Sequence, residues 1–335
     1  MSAFRKNAGV FLLLGIGHGI SDMYACFLPA FSTIITEKLH LTVTAWGILS
    51  AVLHFSTSFL QLGFGFISDR MRKPLLVIAG PALAAICLSN IIYIQNYWVL
   101  MALVLLGGCG VAAYHPQAAS SAGNIQTRRK TLGMSVFVIG GSVGFALAPL
   151  MVTPAYLKWG AGWIWVFCIP GLLFSGVLFS RRRSLAVHTE KNRQDAPRSG
   201  KGDSLSFVLL IAMSVVRNTC IIALVTYVPL YLKERNASHF VSVSAISILQ
   251  LSGTLGGLVF GHLSDRFGKM GILLLSQIVP VPLYYLWLHT GGIVYFGAAS
   301  FFFLSTLAIV ILMVQEKMPR KTGMASSMAM GFSWA

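Results

Sequence analysis

Acidic side chains are scarce in this chain. Asp and Glu together number 9 among 335 residues, and all charged residues make up only 10%. Soluble globular domains carry about 25% charged residues, so this shortage excludes an ordinary soluble protein. Apolar residues take their place: 56% of the chain is hydrophobic and the mean hydropathy is +0.76. The composition therefore predicts an all-α polytopic membrane protein.

Cysteines and catalytic motifs are also scarce. The 5 cysteines are scattered through apolar stretches with no spacing typical of metal ligands, so we interpret them as packing residues. The sequence has no nucleophile–base set and no glycine-rich phosphate loop. These absences argue against an enzyme, and we expect neither a cofactor nor a bound metal.

Hydrophobic runs divide the chain into ten segments long enough to cross ~30 Å of hydrocarbon. An eleventh begins at Gly323, but the 13 residues from there to Ala335 rise only ~20 Å as a helix, which is too short to cross. The ten predicted spans cover residues 8–36, 43–67, 74–94, 98–122, 131–154, 159–180, 205–232, 242–263, 270–289 and 291–314.

The net charge of +16 is distributed as a membrane orientation signal. With the N-terminus inside, 20 of the 25 Lys and Arg residues lie in inside connections and 4 lie in outside ones. Such an excess marks cytoplasmic loops. We therefore expect a cytoplasmic N-terminus in a bacterial inner membrane, with the lipid bilayer and not a nucleic acid as the partner of these charges.

An internal repeat relates the two ends of the chain. The segment "GFISDRMRKP" from Gly65 aligns with "GHLSDRFGKM" from Gly261 at an offset of 196 residues. The copies follow the second and eighth spans, and a polar, charged linker lies between them. We therefore predict an N-terminal six-span half (1–180), a cytoplasmic linker (181–204) and an incomplete C-terminal half (205–335), with a site near the midplane between the halves.

These loops resemble the signature of the major facilitator superfamily. The second copy fits the signature through Gly268, whereas Arg72 stands at the corresponding place in the first. The fifth span, "GMSVFVIGGSVGFALAPLM", is similar to the antiporter-associated motif of that superfamily. With "GHGISDM" in the first span and "GGCGVAAYHPQAAS" in the fourth, the chain resembles the fosmidomycin-resistance type of exporter. The resemblance implies a twelve-span fold that works by alternating access, of which the last spans are absent here.

The first span places two ionisable residues, His18 and Asp22, on one helical face, because they are four residues apart. A charge in hydrocarbon costs about 2.5–3.5 kcal/mol on insertion scales. Burial disfavours the charged form of the carboxylate, whereas a neighbouring imidazolium favours it. The pair is a candidate proton-coupling unit. The alternative is a polar contact that only holds the first span to its neighbours.

Two further polar residues lie within spans. His115 stands beside Pro116, which frees a backbone carbonyl, and could bind substrate, relay protons or merely hydrogen-bond a loop. Arg217, next to Asn218 in the seventh span, could pair with an anionic substrate or with Asp22; the alternative is snorkelling to lipid headgroups.

Weaker patterns complete the candidate set. His54 and Gln61 in the second span, and Gln250 in the eighth, could line a water-filled cavity or join helices. Small residues predict close helix packing; they are Gly140, Gly144 and Pro149 in the fifth span and Gly253 and Gly257 in the eighth. By resemblance, the loop residues would form an inner latch, and these are Gly65, Asp69, Arg70, Arg72, Gly261, Asp265, Arg266 and Gly268.

The sequence thus favours proton-coupled efflux of a small molecule, a drug or a metabolite, by a monomer. Uptake of a small organic anion anchored by Arg217 is the alternative within transport. A membrane fragment that does not transport is the alternative from a different class.

The charge asymmetry makes a topology prediction. A cysteine introduced by Ser199→Cys in the linker should resist a membrane-impermeant thiol reagent in intact cells, because the linker faces the cytoplasm. Arg235→Cys, in a predicted outside connection, is the labelled control. Labelling of the Ser199→Cys variant in intact cells would overturn the orientation.

Overall fold

The computed structural model describes residues 2–71, 73–123, 130–183, 185, 204–318 and 322–331. Every regular element in these ranges is a helix. The first span consists of Ser2–Ala25, Phe27–Ala30 and Ser32–Lys38, and the second of Val43–His54, a π-helical turn at Phe55–Phe59, and Leu60–Arg70. The third to sixth spans are Leu75–Leu88 with a 3₁₀ turn at Ile91–Tyr93, Tyr97–Gly123, Lys130–Trp159, and Ala161–Phe167 (3₁₀) with Cys168–Ser180.

The remaining helices form the second half. They are Ser204–Glu234 (seventh span), His239–Phe267 (eighth), Lys269–Ile278 with Pro280–Thr290 (ninth), Ile293–Phe303 with Leu307–Lys317 (tenth), and Thr322–Gly331 (eleventh). Among the described residues, nine of these segments are long and apolar enough to cross a membrane, and Gly9–Ala25 adds a shorter apolar helix. The prediction of an all-α polytopic fold is confirmed.

Several helices extend beyond the predicted span bounds. The fifth span was predicted to end near residue 154 but continues as a helix to Trp159, passing through Pro149 and Pro154. A proline removes one backbone hydrogen bond, and in a membrane bundle neighbouring helices and side chains satisfy the freed backbone groups.

The 196-residue repeat is visible in the backbone. The turn between the first and second spans places His40 at φ +50°, and the turn between the seventh and eighth places Asn236 at φ +65°. Two residues later, Thr42 and Ser238 each cap the following helix, accepting a hydrogen bond from the amide three residues on. Each pair is 196 residues apart, so the register holds through the first two spans of each half.

The buried interior divides into two apolar clusters with a polar layer between them. In the first span, Leu14 belongs to one cluster and Met23 to the other. The seventh span passes from Leu210 to Ile221 in the same way. Between these apolar residues lie buried polar ones, which are His18, Ser21 and Asp22 in the first span and Ser214, Arg217 and Asn218 in the seventh. The polar layer therefore lies near the middle of the spans.

Glycines bring the first and fifth spans into backbone contact. A Cβ atom at Gly140 would overlap the carbonyl of Gly15, and one at Gly144 would overlap that of Gly19. Pro149 lies buried further along the same helix. The polar side chains of the first span are thereby held directly against the fifth.

The eighth span approaches the tenth through a slightly different pair of glycines than the sequence indicated. A Cβ at Gly253 would overlap the Leu304 side chain, and one at Gly256 would overlap the carbonyl of Phe301. Gly257 has room for a Cβ, at an ordinary 3.7 Å from the nearest atom. Because a helix turns every 3.6 residues, spacings of three and four are both compatible with one face.

The glycine contacts predict a stability difference. Gly144→Ala should destabilise the protein by about 1–3 kcal/mol, since a methyl group must separate two tightly packed helices. Gly176→Ala is the matched control, because a Cβ at that helical position has no neighbour within 4 Å. Thermal unfolding of the detergent-purified variants measures both. Equal unfolding midpoints for Gly144→Ala and the wild type would show that the helices separate freely.

Candidate functional site

Two histidines meet one carboxylate in the polar layer. His115 Nε2 lies 2.9 Å from Asp22 Oδ1, and His18 Nε2 lies 3.3 Å from Asp22 Oδ2. All three residues are buried, with Asp22 7% exposed. His115 comes from the fourth span, so the cluster joins two spans. We call these three residues the Asp22 triad.

Backbone carbonyls determine which ring nitrogens face the carboxylate. His115 Nδ1 lies 2.8 Å from the carbonyl of Val111, and His18 Nδ1 lies 2.9 Å from that of Phe137. A carbonyl only accepts hydrogen bonds, so each Nδ1 must carry the hydrogen. A neutral ring then has no hydrogen on Nε2.

This tautomer makes the triad dependent on a labile proton. If Asp22 were ionised and both rings neutral, each Nε2 lone pair would face a carboxylate oxygen. The 2.9 Å contact to His115 is a hydrogen bond only when one proton lies between the two groups, either on the carboxyl group or on the ring. The hydrogen bond between His115 and Asp22 therefore holds one proton in the buried layer.

Neighbouring helices hold the triad in place. The Tyr114 hydroxyl donates to the carbonyl of Leu14 at 2.6 Å and so ties the fourth span to the first. The His18 ring stacks on Phe137, with ring centroids 4.4 Å apart. Gly141 leaves the necessary space, because a Cβ there would overlap the Asp22 carboxylate and the His18 ring. The sequence analysis predicted close helix packing at Gly140 and Gly144 but did not identify Gly141.

The triad opens onto a cavity within the first half. Asp22 and His115 line it together with His54 and Gln61 of the second span. His54 is oriented by its Nδ1, which lies 2.8 Å from the carbonyl of Ser50. The other residues that line the cavity are apolar or small: Ala25, Pro29, Leu53, Thr57, Val111 and Phe145.

Breaks in helical structure accompany the polar layer. The first span is interrupted at Cys26, four residues after Asp22, and the second contains the π-helical turn directly after His54. The tenth span is interrupted between Phe303 and Leu307. Irregular backbone at membrane depth is tolerated where it is buried in protein or lines a cavity, and π-turns are frequent at functional sites.

The structure does not bring the second-half candidates to this cavity. Arg217, Asn218 and Gln250 are buried in the same polar layer, at 2%, 0% and 1% exposure. By the 196-residue register, Asn218 is the counterpart of Asp22, and Gln250 is the counterpart of His54. The first half thus carries titratable groups where the second half carries amides.

Asp69 of the repeated loop contacts the other half. Asp69 Oδ2 accepts a hydrogen bond of 3.0 Å from the amide of Met324, in the first turn of the eleventh span. Arg70 stacks over Phe66 and Arg266 over Phe267, each on its own helix. Gly65 and Gly261 are buried in their helices, and Gly268 takes φ +89° at the start of the ninth span. Arg72 and the Asp265 side chain lie outside the described residues.

A second inter-half contact lies at the opposite end of the spans and was not foreseen from the sequence. Glu37 lies 3.5 Å from Lys233 and 3.3 Å from His239, whose Nδ1 lies 2.8 Å from the Thr33 hydroxyl. Glu37 and Lys233 are themselves counterparts in the 196-residue repeat. The opposite charges at these equivalent helix ends could have predicted the contact from the sequence.

The triad also has residue types that bind metals, and its ligand atoms lie within 4.8 Å of one another. The two rings, however, contact opposite oxygens of the carboxylate. An ion bound by all three residues would take the place of the proton between His115 and Asp22.

The sequence is similar to bacterial membrane transporters. It is 23% identical over 341 residues to the MFS-type transporter YfnC of Bacillus subtilis (strain 168), covering 97% of this chain and 83% of that protein. It is 22% identical over 343 residues to the fosmidomycin resistance protein of Escherichia coli (strain K12), covering 98% and 84%.

Solved structures show the same fold. A bacterial homologue of the human lysosomal transporter Spinster, in an inward-facing and occupied conformation, superposes with a TM-score of 0.69 at 13% identity and covers 97% of this chain and 79% of that one. The nucleoside transporter NupG superposes with a TM-score of 0.65 at 15% identity, covering 97% and 87%.

The family profile of the Major Facilitator Superfamily matches residues 10–335, nearly the whole chain. The repeat of the first two spans, the buried polar layer and the contacts between the halves at both span ends agree with that match. This chain belongs to the Major Facilitator Superfamily and is a multi-pass transmembrane transporter.

Proposed function

We propose that this transporter exports a small molecule across a bacterial inner membrane in exchange for protons. The observation that carries the proposal is the Asp22 triad, whose 2.9 Å contact between His115 and Asp22 needs a labile proton. Ionisable residues inside a membrane are functional by default, and proton relays are among their common uses.

The triad is suited to couple protonation to substrate binding because it lines a cavity. Asp22 and His115 share that cavity with His54 and Gln61. Gain or loss of the proton changes the charge on the cavity wall, and hence the affinity for a polar substrate. A transporter that exposes the cavity to each side in turn would then take up a proton on one side and release it on the other.

The proposed gates are the contacts between the halves at the two span ends, one at Asp69 and one at Glu37. The Asp69 carboxylate holds the eleventh span at the inner end, where it also benefits from the positive end of the helix dipole. Glu37, Lys233 and His239 hold the first, seventh and eighth spans at the outer end. Opening toward one side requires breaking only the contacts at that end.

The proposed direction is supported by a relative. The name of the fosmidomycin resistance protein describes protection of a cell against a compound, which export would achieve. Fosmidomycin is therefore the probe for the assays below.

The first functional prediction concerns Asp22. In everted membrane vesicles with an acidic interior, fosmidomycin should accumulate in the wild type. Asp22→Asn keeps the shape of the side chain but removes its ionisation, so gradient-driven accumulation should fall to background. Exchange of fosmidomycin down its own gradient should survive, because that cycle moves no proton.

The control for Asp22→Asn is Glu316→Gln, which makes the same chemical change in an exposed residue paired with Lys269 of its own half. Accumulation should be unchanged in that variant. If Asp22→Asn accumulates fosmidomycin as well as the wild type does, the coupling role is contradicted. It is also contradicted if accumulation in the wild type does not depend on the pH gradient.

A second prediction concerns His18. Its contact to Asp22 is longer than that of His115, so His18→Gln should tune the proton site without abolishing it. We expect the midpoint of the flux–pH profile to move by about half to one pH unit, as for loss of one hydrogen bond. The control is His289→Gln, which lies outside the polar layer and should leave the flux–pH profile unchanged. If His18→Gln has the same profile as the wild type, the contact between His18 and Asp22 is only structural.

A third prediction concerns the inner gate. Asp69→Asn weakens the hydrogen bond to Met324 and removes the charge beside the helix terminus, a contribution of about 0.3–1 kcal/mol or more. Transport should slow severalfold while fosmidomycin binding to the purified protein changes little, because Asp69 lies far from the polar layer. Glu316→Gln again serves as control. Unchanged transport rates in Asp69→Asn would remove the gating role.

A further inference from the structure

The second half buries a cation without a counter-ion. Arg217 is 2% exposed, so its guanidinium does not reach the membrane surface. Its Nη1 donates to the Thr306 hydroxyl at 2.9 Å, and its Nε has no hydrogen-bond partner among the described residues. A buried charge normally requires an opposite charge or a full set of hydrogen bonds.

The acidic residues whose side chains are described are placed elsewhere. Asp22 faces two histidines, and Glu37, Asp69 and Glu316 lie at span ends with the partners described above. Glu234 is exposed at the end of the seventh span. Within the described part of the chain, Arg217 therefore forms no ion pair.

A helix N-terminus adds to the positive charge at this site. The tenth span is interrupted, and its second helix, Leu307–Lys317, begins directly after Thr306. Within the described residues no side chain caps that N-terminus, and the Thr306 hydroxyl accepts a hydrogen bond from Arg217. Broken helices in secondary transporters commonly direct such termini at anionic groups of the substrate.

An unpartnered amide directly follows Arg217 in the seventh span. Asn218 is fully buried, and neither its Nδ2 nor its Oδ1 has a partner within the described ranges. It occupies the position equivalent to Asp22, so the second half has a neutral hydrogen-bonding group where the first half has an acid. A carboxylate at that position would neutralise Arg217 internally, whereas an amide leaves the cation available.

We propose that Arg217, Asn218 and the N-terminus of Leu307–Lys317 form a binding site for the anionic group of the transported molecule, a small organic carboxylate or phosphate. This proposal rests on the proposed function, because the bound anion is a substrate only if the protein transports it. It places proton exchange in the first half and recognition of the substrate's charge in the second. The guanidinium supplies paired donors that suit either oxyanion.

The test is ligand binding to the purified full chain without any pH gradient. Benzoate and phenyl phosphate serve as anionic probes, and benzamide is the neutral analogue of benzoate. Each probe is titrated into the protein, and the thermal unfolding midpoint is measured at each concentration. A ligand that binds the native state raises that midpoint. We expect both anions, but not benzamide, to stabilise the wild type.

Two substitutions locate the site. Arg217→Gln should weaken benzoate binding roughly ten- to a hundredfold, the loss expected for a charge-assisted hydrogen bond. Asn218→Asp should raise the unfolding midpoint without ligand and abolish the response to benzoate, because the new carboxylate takes the place of the anion. This second variant tests the site even if Arg217→Gln folds poorly.

Arg235→Gln is the matched control, because Arg235 lies just past the end of the seventh span and stacks on Tyr231 near the membrane surface. It should bind benzoate like wild type. Equal stabilisation by benzamide and benzoate, no stabilisation by either anion, or an unchanged response in Asn218→Asp would overturn the assignment. Asp22→Asn should retain anion binding, so a failure of proton coupling and a failure of the anion site give different results.

Discussion

The buried carboxylate of Asp22 is the constraint on which the first half depends. Its burial near the middle of the spans is tolerable only with a proton or positive charge beside it. Histidines from two spans meet that need, and backbone carbonyls hold both rings with Nε2 directed at the carboxylate. The close approach of the first and fifth spans, and the absence of a side chain at Gly141, follow from the same requirement.

The two halves share a backbone register but differ in chemistry. Equivalent turns and helix caps show that the chain repeats its first two spans after 196 residues. At equivalent positions in the polar layer, however, Asp22 is replaced by Asn218 and His54 by Gln250. A repeated scaffold thus supports titratable groups on one side and a buried cation with amides on the other.

Polar contacts join the halves at both span ends. A carboxylate–amide hydrogen bond at Asp69 marks one end, and a charged cluster around Glu37 marks the other. Such contacts are individually weak, because partly exposed ion pairs contribute about 0–1 kcal/mol. Weak contacts suit gates that must open and close in each cycle, whereas the glycine-packed interfaces within the first half suit a rigid body.

The sequence by itself determined the helical membrane fold, ten span positions, the repeat and the candidate residues Asp22, His18, His115 and Arg217, because hydropathy, charge distribution and residue type are properties of the chain read in order. The tertiary structure decided their partners. His115 lies 93 residues from Asp22 and Thr306 lies 89 from Arg217, and the tight approach of Gly256 depends on how the eighth span is rotated. These contacts depend on the packing and rotation of whole helices, which side-chain spacing along one span does not specify.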